Sequence, residues 1–156
     1  MRYLGIDPGT TRVGYGLIEG CHTPKLLSYG VIEIKSVGES DRLLELARAF
    51  EKLIESSNPA IAGVERIFFA KNRKTAISVA QARGVIVSKL AEKNIRMVEW
   101  HPSEVKRSVT NYGGADKRAV SKMVGKILGV STFTGHDDAT DALAIAIATA
   151  FHYGTS

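Results

Sequence analysis

Residues 1–16, MRYLGIDPGTTRVGYG, predict two short strands joined by a turn. The apolar segments 3–6 and 13–18 flank DPGTT, whose Asp-Pro-Gly start is favourable turn chemistry. Asp7 lies where the first strand ends. Its carboxylate therefore either belongs to that turn or stands at the tip of a buried strand, where it can hold a metal ion. The other acidic residues of the chain must decide between these two interpretations.

The remaining segments extend this hairpin into a mixed α/β fold. A third strand is predicted at residues 26–34, and the short connections favour an antiparallel meander. Two later strands, at 60–64 and 95–99, alternate with helices, which indicates a mixed sheet with helices on its faces. Helices are predicted at residues 41–56, at about 75–93, after Pro102, within 113–129 and from 136 to 154.

Composition limits the class of protein. A chain of 156 residues that is 44% hydrophobic suits one domain spanning residues 1–156. Cys21 is the single cysteine, so no intramolecular disulfide can form. Neither a bilayer-spanning apolar run nor a signal-peptide pattern is found, and we expect a cytoplasmic protein without a membrane partner. The net charge of +5 favours polyanionic partners without requiring them.

Further carboxylates stand where burial would be costly. Glu65 ends the apolar strand AIAGVE, although it could be an ordinary strand-end residue. Asp138 and Asp141 are three residues apart and share one face of the last helix, directly before the apolar run ALAIAIATAF. Asp137 and Asp138 could simply cap the helix and interact with the positive end of its dipole. Capping does not explain Asp141, which lies in the second turn.

Two carboxylates at strand ends and two at the start of a helix packed on that sheet could converge in one acidic pocket. Hard divalent cations such as Mg²⁺ prefer oxygen ligands of this kind. Two ions about 3.5–4 Å apart can activate a water and stabilise a leaving oxygen at phosphate. The pattern therefore favours phosphodiester hydrolysis. His136 is either an additional ligand or proton carrier, or simply the entry to the helix.

Four stretches make the sequence similar to a known family. They are GIDPGTTRVGYG at 5–16, VERIFFAKN at 64–72, AISVAQARG at 76–84 and ATDALAIAIA at 139–148. Together they resemble the RuvC Holliday junction resolvases, which belong to the RNase H-like nucleases, nearly from end to end. The first motif alone is shared with the actin and Hsp70-like ATPases, which are much longer, and with the small YqgF-type nucleases, which lack the ERIFFAKN and QARG stretches.

The resemblance implies an RNase H-like five-stranded mixed sheet flanked by helices. It implies that Asp7, Glu65, Asp138 and Asp141 are catalytic and bind two Mg²⁺ ions, with Mn²⁺ as a substitute. Asp137 also shares a helix face with Asp141, so helix geometry leaves a swap with Asp138 open. The implied enzyme nicks a four-way junction symmetrically, leaves 5′-phosphate and 3′-hydroxyl ends, and works with the RuvA–RuvB complex. A YqgF-like RNA nuclease and a non-catalytic junction-binding module are the alternatives.

The long helix indicates a homodimer independently of the resemblance. Apolar and small residues of segment 76–90 cover an arc of about 220°, whereas burial on one side needs a stripe of roughly 100°. A two-fold related partner helix would cover the remainder. The alternative is a helix enclosed within its own domain. Arg83 falls inside this arc, as a buried ion pair or a DNA contact.

Basic and aromatic residues near the acidic pocket are predicted to contact DNA. Cationic side chains would neutralise phosphates, although most surface lysines are merely solvated. By family position, Phe68 would stack on a junction base. The predicted DNA-binding residues are Phe68, Lys71, Arg73, Lys74, Lys106 and Lys117.

Overall fold

A five-stranded mixed sheet in the order β3-β2-β1-β4-β5 lies at the centre of the fold. The structure is a computed structural model that describes residues 1–67 and 73–154, with the backbone alone for Arg73 and Lys74. The strands are β1 (Arg2–Asp7), β2 (Arg12–Glu19), β3 (Lys25–Glu33), β4 (Ile61–Glu65) and β5 (Arg96–Trp100).

The pairing pattern confirms the predicted RNase H-like sheet. Strands β1, β2 and β3 form the antiparallel meander, and β4 and β5 add in parallel on the other side of β1. The predicted ends of β4 and β5 are each one residue too early. Both strands continue because Glu65 pairs with Trp100 in the parallel ladder.

Five helices occur at the predicted places in the part of the chain that the structure describes. They are α1 (Glu39–Ser57), α2 (Arg73–Glu92), α3 (Pro102–Thr110), α4 (Lys117–Leu128) and α5 (Asp137–Tyr153). Local capping interactions set the ends of the helices. For example, the Asp116 side chain accepts a hydrogen bond from the Ala119 amide at 2.7 Å at the start of α4, and Gly129 with φ of 68° ends that helix. No helix in the described ranges is long and apolar enough to cross a membrane.

Strand alternation divides the core into two layers. Leu4, Ile6 and Val64 belong to the layer beneath α1 and α2. Tyr3, Ile61 and Trp100 belong to the opposite layer, together with α3, α4 and α5. Helix α5 is the centre of that second layer, since every residue from 142 to 150 is buried.

Glycines allow α5 to lie directly against the sheet. A Cβ atom at Gly5 would stand 1.9 Å from the Ala142 carbonyl oxygen, and one at Gly14 would stand 2.1 Å from the Asp138 carbonyl oxygen. Real Cβ atoms do not approach backbone this closely. The start of α5 is therefore seated on β1 and β2 by the absence of side chains there.

We expect Gly5→Ala to destabilise the protein by about 3 kcal/mol, since the new methyl group must push the α5 backbone away from β1. The unfolding midpoint should fall by roughly 6–12 °C for a chain of this size. Thermal unfolding followed by circular dichroism measures the change. An unchanged midpoint would mean that α5 is not seated as closely as described.

Candidate active site

Asp7 and Glu65 are neighbours at the ends of two adjacent parallel strands. Ile6 pairs with Val64 in the ladder, so the next residue on each strand lies side by side with its counterpart. Ile6 and Val64 face α1 and α2. Because successive side chains alternate between faces, both carboxylates point to the α5 side. Asp7 and Glu65 share a side-chain hydrogen bond there.

The start of α5 brings two more carboxylates to this place. Gly14 pairs with Asp7 across β1 and β2, and the Asp138 backbone lies against Gly14. Asp138 and Asp141 then project from successive turns of α5, each with a side chain that is 33% exposed. The structure therefore brings Asp7, Glu65, Asp138 and Asp141 together in one half-buried acidic pocket.

The acidic pocket strongly perturbs the titration of Asp7. Burial and then the negative charges of Glu65, Asp141 and Asp138 raise the pKa of Asp7 to about 8. Burial also raises the pKa of Asp141, and this effect outweighs the opposing ammonium group of Lys117. Asp7 therefore keeps its proton near neutral pH unless a cation compensates for the negative charge of the pocket.

Two basic residues of the chain already compensate part of that charge. Arg12 Nε lies 3.1 Å from Asp138 Oδ2, and Lys117 Nζ lies 3.0 Å from Asp141 Oδ2. The bond with Asp141 is also the main reason why the pKa of Lys117 is raised. Within residues 1–67 and 73–154, no three His, Cys, Asp or Glu side chains are grouped to hold a metal ion as they stand.

The donor set nevertheless fits a hard divalent cation. All four groups are carboxylates, which are the ligands that such cations prefer. The pKa of Asp7 is raised first by burial and then by the neighbouring carboxylates, and a bound cation would offset both effects. Binding a cation here would require Asp7 to lose its proton and Asp141 to exchange its bond with Lys117.

The structure distinguishes Asp138 from the adjacent residues Asp137 and His136. The side chain of Asp137 is 84% exposed, and its nearest ionic partner is Lys117 at 3.9 Å. His136 Nε2 lies 3.9 Å from Glu33 Oε1, at the end of β3. The negative charge of Asp138 is among the causes that raise the pKa of Asp7, and the Asp138 backbone lies against Gly14, the partner of Asp7 in the sheet. The structure thus places Asp138, and not Asp137, beside Asp7.

The structure describes the remaining predicted DNA-binding residues only in part. Phe68 and Lys71 lie outside the described residues, as do the side chains of Arg73 and Lys74 at the start of α2. Lys106 is half-buried on α3, without an ion pair to any described carboxylate. Their predicted DNA contacts stay predictions.

Arg83 forms an ion pair, which was one of its two predicted roles. Its guanidinium contacts Glu99 of β5, and its side chain is 23% exposed. Glu99 also accepts a hydrogen bond from Arg66 Nη2 at 3.1 Å. Arg83 therefore ties α2 to the edge of the sheet.

Two arginines near the pocket were missed by sequence analysis. Arg12 holds Asp138 at 3.1 Å, and its only sequence signal is its place directly after DPGTT. Arg42 of α1 donates a hydrogen bond to the Thr10 carbonyl, in the turn that follows Asp7. No local pattern could have shown this second contact, because the two residues are 32 positions apart.

Comparisons with known proteins agree on one family. The family model for "Crossover junction endodeoxyribonuclease RuvC" matches residues 3–149. The RuvC crossover junction endodeoxyribonuclease of Caldicellulosiruptor saccharolyticus is 43% identical over 150 residues, covering 94% of this chain and 90% of the relative.

Solved structures give the same result. Thermus thermophilus RuvC superposes with a TM-score of 0.89 at 28% identity, covering 99% of this chain and 96% of that chain. The structure of T. thermophilus RuvC in complex with Holliday junction substrate gives a TM-score of 0.88 at 26% identity, with 99% and 95% of the two chains covered.

Proposed function

Because the chain belongs to the RuvC family of crossover junction endodeoxyribonucleases, as its four sequence motifs indicated, we propose that it resolves Holliday junctions by paired symmetric nicks. The complex of the Thermus relative with a Holliday junction supports this choice of substrate. The products would carry 5′-phosphate and 3′-hydroxyl ends, and the process would serve DNA recombination and repair. The RuvA–RuvB complex would be its partner.

The meeting of four carboxylates at one end of the sheet carries this proposal. Asp7, Glu65 and Asp141 would hold the divalent cations and Asp138 would complete the site. Mg²⁺, with Mn²⁺ as a substitute, would supply the positive charge that activates a water and stabilises the leaving oxygen. Asp7 and Glu65 would orient that water from the sheet side, because both are fixed by strand pairing.

Lys117 would change partner when substrate binds. Its ammonium group is bonded to Asp141 at 3.0 Å, yet 66% of the side chain is exposed. A phosphate approaching the acidic pocket would meet this group first and could take it from Asp141. Lys117 would thereby contact DNA, and Asp141 would become available to a cation.

Helix α2 presents an uncovered apolar face that supports a homodimer. Ala82, Ile86 and Leu90 are buried in the core of the same chain. On another side of the helix, Ile77 is 69% exposed, and no atom lies within 4 Å of a Cβ built at Gly84. This exposure favours a partner helix over the alternative of a helix enclosed within its own domain. We propose that this face packs on its two-fold related copy and sets two active sites against one junction.

We expect Gly84→Arg to convert the dimer into a monomer of 16.9 kDa without unfolding it. The substitution removes a helix glycine, and a Cβ at this position meets no atom of its own chain within 4 Å, but the arginine would collide with a second α2. Sedimentation velocity measures the mass. Ser56→Arg, on the exposed side of α1, adds the same charge elsewhere and should stay dimeric. A Gly84→Arg protein of dimer mass would contradict the proposed interface.

A synthetic four-way junction tests the function directly. The protein should make symmetric paired nicks in the presence of Mg²⁺ and none in EDTA. Structured RNA in place of the junction tests the alternative of an RNA nuclease. Cleavage of the RNA but not of the junction, or Mg²⁺-independent binding without any cleavage, would refute the proposed function.

A further inference from the structure

A groove leads away from the acidic pocket along α4. It encloses about 970 Å³ between α4 and the loop that follows it. Asp137 and Asp141 line one end, together with Lys117. We call the remainder the α4 groove, which is lined by Arg118, Lys122 and Lys126 on the helix and by residues 129–133 on the loop.

The α4 groove is basic and its cations are unneutralised. Arg118, Lys122 and Lys126 are spaced by four residues, so they form one row on the helix. All three are exposed, and no carboxylate in the described part of the chain pairs with them. Like charges at this spacing destabilise a helix. The row is therefore costly to the free protein and suits an anion that lies along it.

The groove has a fixed shape. Val120 and Val124 anchor the opposite face of α4 in the core. A Cβ atom at Gly125 would stand 2.6 Å from the Val130 carbonyl oxygen, so the loop can approach the helix only because residue 125 is glycine. Ser131 and Thr132 of this loop add hydroxyl donors to the lining. The three exposed cations thus line a groove of fixed shape that is open to solvent.

The dimensions match a nucleic acid strand. Arg118 and Lys126 are eight residues apart, which is about 12 Å along a helix. One strand of a DNA duplex presents a phosphate about every 3.4 Å along the axis, so this length matches three to four phosphates. Cationic side chains and hydroxyl groups are the usual contacts to such phosphates.

We propose that the α4 groove binds the phosphate backbone of one junction arm, continuing the strand whose scissile phosphate lies at the acidic pocket. This inference rests on the proposed function and names a second contact region for the same substrate. It assigns Arg118, Lys122 and Lys126 to arm binding and leaves the chemistry to the carboxylates.

The test is a pair of charge-matched variants of the full chain. Lys122→Gln with Lys126→Gln removes two cations from the α4 groove. Lys25→Gln with Lys52→Gln removes two exposed cations from the start of β3 and from α1, away from the α4 groove. Both pairs lower the net charge from +5 to +3. Junction affinity is measured in EDTA, to prevent cleavage, between about 50 and 200 mM salt.

The groove variant should bind the junction at least about tenfold more weakly at about 0.1 M salt, and the slope of log affinity against log salt should fall by about 1.8. Its single-turnover cleavage at saturating junction should stay within about twofold of the parent. The Lys25 and Lys52 variant should keep the parent's slope. Equal slopes for parent and groove variant, or equal losses in both variants, would overturn the inference.

Different results would refute the α4 groove and the proposed function. A parent protein that cuts the junction in Mg²⁺, together with a groove variant that binds like the parent, refutes the α4 groove alone. A parent protein that neither binds nor cuts the junction refutes the proposed function and the groove with it.

Discussion

We expect Asp7→Asn to lose junction cleavage and, at the same time, to stabilise the metal-free protein. Cleavage should fall by about a thousandfold or more, since a neutral amide oxygen holds a divalent cation much more weakly than a carboxylate and supplies no negative charge. Stability should rise because asparagine resembles the protonated carboxyl group and can still donate a hydrogen bond to Glu65. Loss of function and gain of stability in one variant is the signature of an electrostatically strained site.

The stabilisation of the Asp7→Asn protein relative to the parent should grow as the pH rises. The pKa of Asp7 is about 8 in the folded protein, against 3.8 ordinarily. The folded state therefore holds a proton that the unfolded state has lost, and the contribution of Asp7 to stability, fully present below pH 3.8, is lost as pH rises towards 8. The asparagine variant is free of this loss. After a discount for relaxation of the coupled carboxylates, we expect an advantage of about 2 kcal/mol at pH 8.

Thermal unfolding in EDTA measures this difference. The Asp7→Asn protein should melt about 4–8 °C above the parent at pH 8 and close to it at pH 4. Mg²⁺ should raise the midpoint of the parent but not that of the variant, because only the parent can release a proton and bind the cation. A variant that melts at or below the parent at pH 8 would contradict the described crowding of carboxylates.

Asp138→Asn and Asp137→Asn should differ greatly although the two residues are adjacent. The Asp138 side chain is 33% exposed and its charge helps to raise the pKa of Asp7, whereas the Asp137 side chain is 84% exposed. We expect Asp138→Asn to lower cleavage by about a hundredfold or more, and Asp137→Asn to lower it by less than about threefold. The same charge is removed in both, so each variant controls for the other.

Single-turnover cleavage of a four-way junction gives both rates. Junction affinity in EDTA should be equal or slightly higher in both variants, because each loses a negative charge near the DNA. Equal losses of cleavage in the two variants would show that the helix start is not oriented as described. A larger loss in Asp137→Asn would reverse the assignment.

Much of this protein could be predicted from local patterns. The strands and helices were found because apolar residues repeat at two positions in strands and at three to four in helices. Asp7, Glu65 and Asp141 could be singled out because each stands at a strand end or in a helix where charge is costly. These are arguments about neighbours along the chain, which the sequence displays directly.

Other features depend on contacts between distant residues. The choice of Asp138 over Asp137 rests on how α5 is rotated above β1 and β2, and that rotation is set by the glycine contacts at Gly5 and Gly14. The partners of Arg83 and Arg42 are likewise set by tertiary packing. No local periodicity contains this information.

The elements, their order and the identity of the acidic residues can be predicted from local patterns, because propensity and hydrophobic period act over a few positions. Packing between the elements sets which carboxylate oxygens meet and which basic groups bind them. Those outcomes depend on electrostatic and steric contacts across the sheet, where groups a few ångströms apart in space, such as Gly14 and Asp138, lie far apart along the chain.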